Sequence, residues 1–166
     1  MAMTASAMAS SIISNLSQSS DPGEANNKFY KAICDYVEAN AQVFYSWSAT
    51  NPSGSSDPQV VIEAKIKTSG SLSPSGATDC SSAMAAFSST MNSNAATWQV
   101  IFPPGFSLSP AFVLPTMVFT PSMADNQGAA MNHICQEIIN GLKAATPVAN
   151  GSHSSYTGTA SFTKLI

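Results

Sequence analysis

The sequence predicts an α+β domain: about four helices packed on a small, mainly antiparallel sheet, with an extended proline-rich arm. Three observations predict it. Val60 to Lys67 alternates strictly, with Val60, Ile62, Ala64 and Ile66 on one face and Glu63, Lys65 and Lys67 on the other, the pattern of a sheet with one wet face. Segments beginning near Thr4, Asp21, Thr78 and Met123 place apolar residues at helical spacing. Pro110, Pro115 and Pro121 interrupt the apolar run 106–122 too often for a central strand. A chain of 166 residues is long enough for one domain with a real core and too short for two large ones. Residues 1–166 therefore read as a single domain. Its parts are an N-terminal helical arm (1–20), a helix–strand unit (21–68), a helix, strand and Pro-rich arm (78–122), and a second helix–strand unit (123–166).

Taken in order, residues 4–18 set Ala5, Met8, Ile12 and Leu16 on one side of a short helix. Alone it is marginal in water, so it must dock on its own core or on a neighbouring chain. Asp21-Pro22-Gly23-Glu24 starts the second helix: Asp21 caps, Pro22 suits the first helical position, and Glu24 falls three residues after the cap. Phe29, Ile33 and Val37 form its buried stripe. Gln42–Ser48 reads either as more helix or as a strand with Val43, Tyr45 and Trp47 on one face. Asn51 to Pro58 is a loop, followed by the alternating strand at 60–67.

After a Gly/Ser/Pro linker at 69–77, Thr78-Asp79 caps a third helix reaching about Asn92, with Cys80, Met84, Phe87 and Met91 on its apolar side. Trp98–Phe102 is a strand ended by Pro103-Pro104-Gly105. Within 106–122 an edge strand is expected at Phe112–Leu114 or Met117–Phe119. The fourth helix runs from near Met123 to near Ala145, burying Met131, Ile134 or Cys135, Ile138 and Leu142. Residues 147–155 are loop, and Ser155–Ile166 is a closing strand, the expected edge toward a neighbour. Both long helices carry an Ile-Cys pair, Ile33-Cys34 and Ile134-Cys135, with a branched residue four positions after the Ile. That is consistent with a duplication, or with two ordinary amphipathic helices.

Composition narrows the function classes. Charged residues make up 9% of the chain, against about a quarter in ordinary soluble proteins. Ser, Ala, Asn and Thr fill the surface instead, which protects it poorly against association. All six basic residues are Lys, there is no Arg, and the net charge is -3. That argues against nucleic-acid binding through phosphate neutralisation and weakens a nucleotide-binding reading. Cys34, Cys80 and Cys135 are odd in number and widely spaced, so they are not a secreted disulfide framework. The N-terminus has no basic segment before its weak apolar run, and no run is long enough to span a bilayer.

No motif for chemistry emerges, and no catalytic, cofactor-binding or metal residue is assigned. His133 and Cys135 are two apart on a helix and face different ways. Cys80, at a helix start, is the better thiol nucleophile, with no surrounding signature. His133 and Glu137 share a helical face but lack further metal ligands. Glu38 and Glu63 have no acid–base partner pattern, and Gly70 and Gly76 lack the Lys of a phosphate loop. Phe44, Tyr45, Trp47 and Trp98 offer either a stacking platform for a sugar or core aromatics.

The low charge, the abundance of Ser, Ala, Thr and Asn, the Thr146-Pro147 turn and the closing Thr157-Gly158-Thr159-Ala160-Ser161-Phe162-Thr163 strand resemble the small structural proteins of tailed-bacteriophage virions. The resemblance implies a non-enzymatic tail, baseplate or neck-type subunit. Its partners would be copies of itself and other virion structural proteins, with no cofactor, nucleic acid, membrane or small-molecule substrate. The N-terminal helix, the Pro-rich arm and the closing strand would then reach neighbours. The alternatives are a small carbohydrate- or ligand-binding module and a Cys-dependent hydrolase.

Overall fold

A computed structural model describes residues 3–16, 21–73, 76, 78–111, 114–120, 127–145 and 148–166. The order is α1 (Ala5–Leu16), α2 (Pro22–Asn40), β1 (Gln42–Thr50), β2 (Val61–Lys67), α3 (Cys80–Ala95), β3 (Gln99–Ile101), β4 (Phe106–Ala111), α4 (Gln127–Ala144), β5 (Val148–His153) and β6 (Tyr156–Leu165). The strands form one sheet in the order β3-β2-β1-β6-β5-β4, antiparallel throughout. The α+β class with four helices on an antiparallel sheet is as the sequence predicts.

The sheet must curl. β3 and β4 lie at opposite ends of the strand order, yet only residues 102–105 join them. From Ile101 to Phe106 an extended chain spans at most ~18 Å, whereas the outer strands of a flat six-stranded sheet stand ~24 Å apart. The join is tighter still, because it contains a turn in which the Phe106 amide donates to Pro103 O at 3.3 Å and Gly105 takes φ +95°. Pro104 followed by a positive-φ Gly is the type II pattern.

The curl is made possible by a row of small residues. Ala49 stands opposite Gly158, Gly158 opposite Gly151, and Gly151 opposite Leu108. A Cβ on Gly158 would lie 2.0 Å from Ser48 O, and one on Gly151 2.0 Å from Ser107 O. Strands β1, β6, β5 and β4 thus bend together along a line where side chains are missing. The other device is a bulge: Phe44 pairs with Lys164 but Tyr45 with Phe162, so Thr163 is the extra residue. Its hydroxyl donates to Phe44 O at 2.9 Å.

One face of the sheet joins the helices in a single core. Val43, Tyr45, Ile62, Ala64, Val100, Ala149, Ala160 and Leu165 are buried there. α1 packs against both α2 and α4 and buries Met8 and Ile12, so the N-terminal helix docks on its own core. The Tyr36 hydroxyl, near the Thr4 backbone, pins its start to α2. Ile138, Ile139 and Leu142 of α4 are fully buried, worth about 1.5–3 kcal/mol each relative to exposure. α3 begins at the expected cap, where the Asp79 carboxylate accepts from the Ser82 amide at 2.8 Å and its hydroxyl at 2.7 Å.

Of the two readings of Gln42–Ser48, the strand with Val43, Tyr45 and Trp47 on one face holds. Several other expectations are corrected. Val60 is 62% exposed because it precedes β2 and lies outside the alternation. The proline-interrupted strand is Phe106–Ala111, an edge strand that tolerates Pro110; Met117–Phe119 is not a strand, and the alternative at Phe112–Leu114 falls on residues 112–113, which lie outside those described. Within the expected arm, 114–120 is docked. Met117 and Phe119 are buried, the Asn92 side chain holds Met117 N at 2.8 Å and its O at 2.9 Å, and Glu137 accepts from Val118 N at 2.8 Å. Gly141 leaves room for this segment, since a Cβ there would meet Met117 at 2.8 Å. The predicted start of the fourth helix, near Met123, lies outside the described residues.

The closing strand is central rather than an edge. β6 is paired on both sides, by β1 and β5, and β5 occupies a segment that reads as loop. The two helix–strand units become helix–hairpin units, α2-β1-β2 and α4-β5-β6, lying side by side in the sheet. The Ile-Cys pairs are not equivalent within them: Cys135 is buried, whereas Cys34 is partly exposed.

Candidate functional site

The residues singled out by sequence do not converge. Tyr45, Trp47 and Trp98 are 0%, 3% and 3% exposed. They are core aromatics, which removes the sugar platform placed on them. Trp98 Nε1 donates to the Tyr30 hydroxyl at 3.0 Å, and that hydroxyl to Ser69 O at 2.6 Å. His133 is exposed, and its helical neighbour Glu137 is committed to the Val118 amide. Cys135 is buried among apolar side chains, and burial pushes its thiol up to about 12. Cys34 is raised for the same reason, only partly offset by hydrogen bonds with Thr68 and Tyr30. The Cys80 side chain lies outside the described residues. Glu38 accepts from Thr68 and Glu63 from Gln42, so the two carboxylates serve different partners. Among the described residues no group of His, Cys, Asp and Glu could hold a metal ion, and no helix is long and apolar enough to cross a membrane.

What the fold does assemble is a pair that sequence reasoning passed over, Asp57 and His153. Asp57 closes the loop between β1 and β2; His153 ends β5. The Asp57 amide donates to Ala49 O at 2.9 Å, which turns the loop back over β1. The carboxylate is the one buried acidic group among the described residues, 6% exposed. Its Oδ2 accepts from Trp47 Nε1 at 2.8 Å and faces His153 Nδ1 at 2.7 Å; its Oδ1 accepts from the Gln59 amide at 2.9 Å. Burial pushes this carboxyl up, but the Gln59 amide, His153 and Trp47 together outweigh it and hold the group below the ordinary carboxylate range.

An ionised Asp57 has only acceptor oxygens, so Nδ1 of His153 must carry the proton between them. When the ring is neutral, Nε2 is then a bare acceptor. The ring cannot swing: Phe106 stacks on it at 4.2 Å and 9°, and Phe106 is held edge-on by Trp47 at 5.6 Å. Gly105 lies along the Cδ2–Nε2 edge, where even a Cβ would stand 3.4 Å away. His153 is 25% exposed and lines an open cleft of about 620 Å³, bounded also by Phe44, Glu63, Lys65, Pro103 and Phe106.

The cleft lies where the sheet fails to close. The Trp47 amide donates to Val60 O at 2.9 Å, which sets the phase of β2. Val60, Ile62 and Ala64 turn their backbone groups toward β1, while Val61 and Glu63 turn theirs outward. β3 pairs with β2 only at Lys65–Lys67, so the outer edge of β2 from Val61 to Ala64 has no partner strand among the described residues. The Gln59 side chain donates to Val61 O and covers one of these groups. Val60, Val61 and Ile101 are exposed beside this edge, at 62%, 52% and 47%.

An aspartate and a histidine separated by 96 positions leave no local pattern to read. Two weak signals exist: Asp57 precedes a proline in a loop of otherwise neutral residues, and the chain holds only two His, one of them His153. Comparison of the chain with protein-family models, curated proteins and solved structures finds no match.

Proposed function

We propose that this chain is a non-enzymatic structural subunit of a large protein assembly, of the kind found in tailed-bacteriophage virions, where its neighbours are copies of itself and other structural proteins. The observation that carries the assembly reading is the bare edge of β2 at 61–64, with exposed Val60, Val61 and Ile101 beside it. An unpaired strand edge with apolar side chains is a template for strand addition by another chain. The small charged fraction, 9%, supports the same reading, because little repulsion opposes contact. The contact surface is therefore moved from the closing strand, which is saturated on both sides, to β2. The virion part rests on the compositional resemblance.

Size-exclusion chromatography with light scattering tests the assembly. The wild-type chain is expected to exceed its 17.2 kDa monomer mass at high concentration, and Val61→Asp to return it to monomer by placing a charge on the edge. A wild-type chain that stays monomeric at its highest soluble concentration overturns the reading. Mass spectrometry of purified virions, with the chain absent, overturns the virion part.

A further inference from the structure

We propose that the cleft beside His153 is a binding site for a neutral, hydroxyl-rich ligand of the saccharide class. The inference stands on the cleft's own chemistry, not on the assembly reading. Its volume of about 620 Å³ falls within the ~300–1,000 Å³ usual for small-molecule sites. Its walls include the apolar Phe44, Pro103, Pro104 and Phe106. A pyranose ring, apolar on its C–H faces and polar at its rim, matches such walls.

The polar rim decides the charge of the ligand. With Asp57 facing Nδ1, the neutral His153 ring presents Nε2 as an acceptor. The Glu63 carboxylate is an acceptor, satisfied on one oxygen by Gln42 Nε2 at 2.8 Å. Gln59 donates one amide N–H to Val61 O, which leaves its carbonyl as an acceptor and its second N–H as a donor. Lys65 is the one cationic donor lining the cleft. Acceptors on His153, Glu63 and Gln59 beside donors on Lys65 and Gln59 call for a ligand that both donates and accepts, as neighbouring hydroxyls do. An anion is disfavoured by Glu63 and by the buried negative charge of Asp57 behind the imidazole; a cation is disfavoured by Lys65.

The site also corrects where a sugar would stack. Phe44 and Tyr45 are consecutive residues of β1 and so point to opposite faces of the sheet. Tyr45 and Trp47 face the core, and Phe44, with Lys164 Nζ 5.0 Å from its ring centre, faces the wet side. Of the aromatics singled out on β1, only Phe44 lines the cleft. Nothing in the arrangement requires chemistry on the ligand: His153 is a recognition acceptor here, and Asp57 a positioning residue that sets its tautomer.

The experiment is saturation-transfer difference NMR on the full chain with glucose, galactose, N-acetylglucosamine and their common disaccharides, with inorganic phosphate and acetate as anionic controls. The oligomeric state is measured in the same samples, and an Ile101→Asp chain, whose charge falls beside the bare edge but outside the lining of the cleft, is run in parallel. At least one saccharide is expected to give transfer concentrated on its C–H protons and to shift the His153 imidazole nitrogen resonances. His153→Ala is expected to weaken it about tenfold, the factor that corresponds to one buried hydrogen bond of about 1.4 kcal/mol. Phe44→Ala, on the wet face where folding is not at stake, is expected to weaken it by a similar factor. A blank across the saccharide panel in both chains, binding indifferent to Phe44→Ala and His153→Ala, or preferential binding of phosphate or acetate overturns the proposal. Assembly can fail while saccharide binding holds, and the reverse, so the two readings are judged separately.

Discussion

Replacing Gly158 with Ala tests the account of how the sheet curls. The added Cβ would stand 2.0 Å from Ser48 O, 2.5 Å from the Ala49 Cα and 2.5 Å from the Ala49 Cβ. An ordinary carbon–oxygen contact is no closer than about 3.3 Å, so β1 and β6 must separate by about 1 Å at their pairing. None of the three atoms is the end of a flexible side chain, so no rotamer change relieves the clash. Overpacking in a core costs about 1–3 kcal/mol, and an obstacle made of backbone and a Cβ puts this substitution at the top of that range. Gly→Ala otherwise stabilises a strand by about 0.5–1 kcal/mol, so the net expectation is a loss of about 2 kcal/mol. For a domain of this size that is roughly a 4–8 °C fall in Tm. Circular dichroism melts give Tm, and urea titrations give the free energy independently. A Gly158→Ala chain within about 0.5 kcal/mol of wild type, the usual scatter of neutral surface substitutions, would refute the reasoning that the small-residue row is what lets the strands approach.

Three further predictions concern single groups. Tyr45→Phe should be neutral or stabilise by up to about 1 kcal/mol, because the Tyr45 hydroxyl is fully buried with no partner among the described residues; urea unfolding that shows a clear loss would mean the hydroxyl is satisfied. Ser154 turns the β5–β6 hairpin at φ 54°, a left-handed conformation costing a non-glycine residue about 1–2 kcal/mol; Ser154→Gly should therefore raise Tm, and a lowered Tm counts against strain there. The Asp57 carboxyl is held below its ordinary value when folded, so the stability it contributes is present above the unfolded pKa of about 3.9 and is lost as pH falls through the lower folded value. Wild type and Asp57→Asn should accordingly differ by a constant amount above about pH 5 and converge below about pH 4; a difference flat down to pH 2 would contradict the depressed value.

Periodicity made the helices and β2 legible, because each puts large apolar residues on one side. Met8 and Ile12, Ile33 and Val37, Met84 and Met91, and Ile138 and Leu142 are all buried as expected. It failed where the fold needs small residues. The inward positions of β5 are Ala149, Gly151 and His153, and the β6 residues opposite them are Ala160, Gly158 and Tyr156. A strand whose inner face must leave room for a bend has the composition of a loop, so β5 went unseen and β6 looked polar enough for an edge. The docked 114–120 segment misled in the other direction. Its Met117 and Phe119 look like an arm in search of a partner, and the partner is the groove between Asn92 of α3 and Gly141 of α4. The cleft is invisible in the sequence because its parts come from four separate segments: Phe44 of β1, the 59–65 stretch, the 103–106 turn and the end of β5.

The place of β6 bears on how the molecule comes together. β6 joins β1 to β5, and every other described element precedes it in the chain. Before it is in place, β2 can pair with β1 and β3, and β5 with β4, but the two halves share no strand. Each half then carries a naked edge, one on β1 and one on β5. Joining them pairs Val43 with Leu165 across most of the sequence, and non-local pairings of that kind make folding slow. Slow closure with two open edges is the condition under which partly folded chains stick to one another. The yield of soluble protein should therefore depend more on temperature and chain concentration during refolding than on the stability of the finished fold.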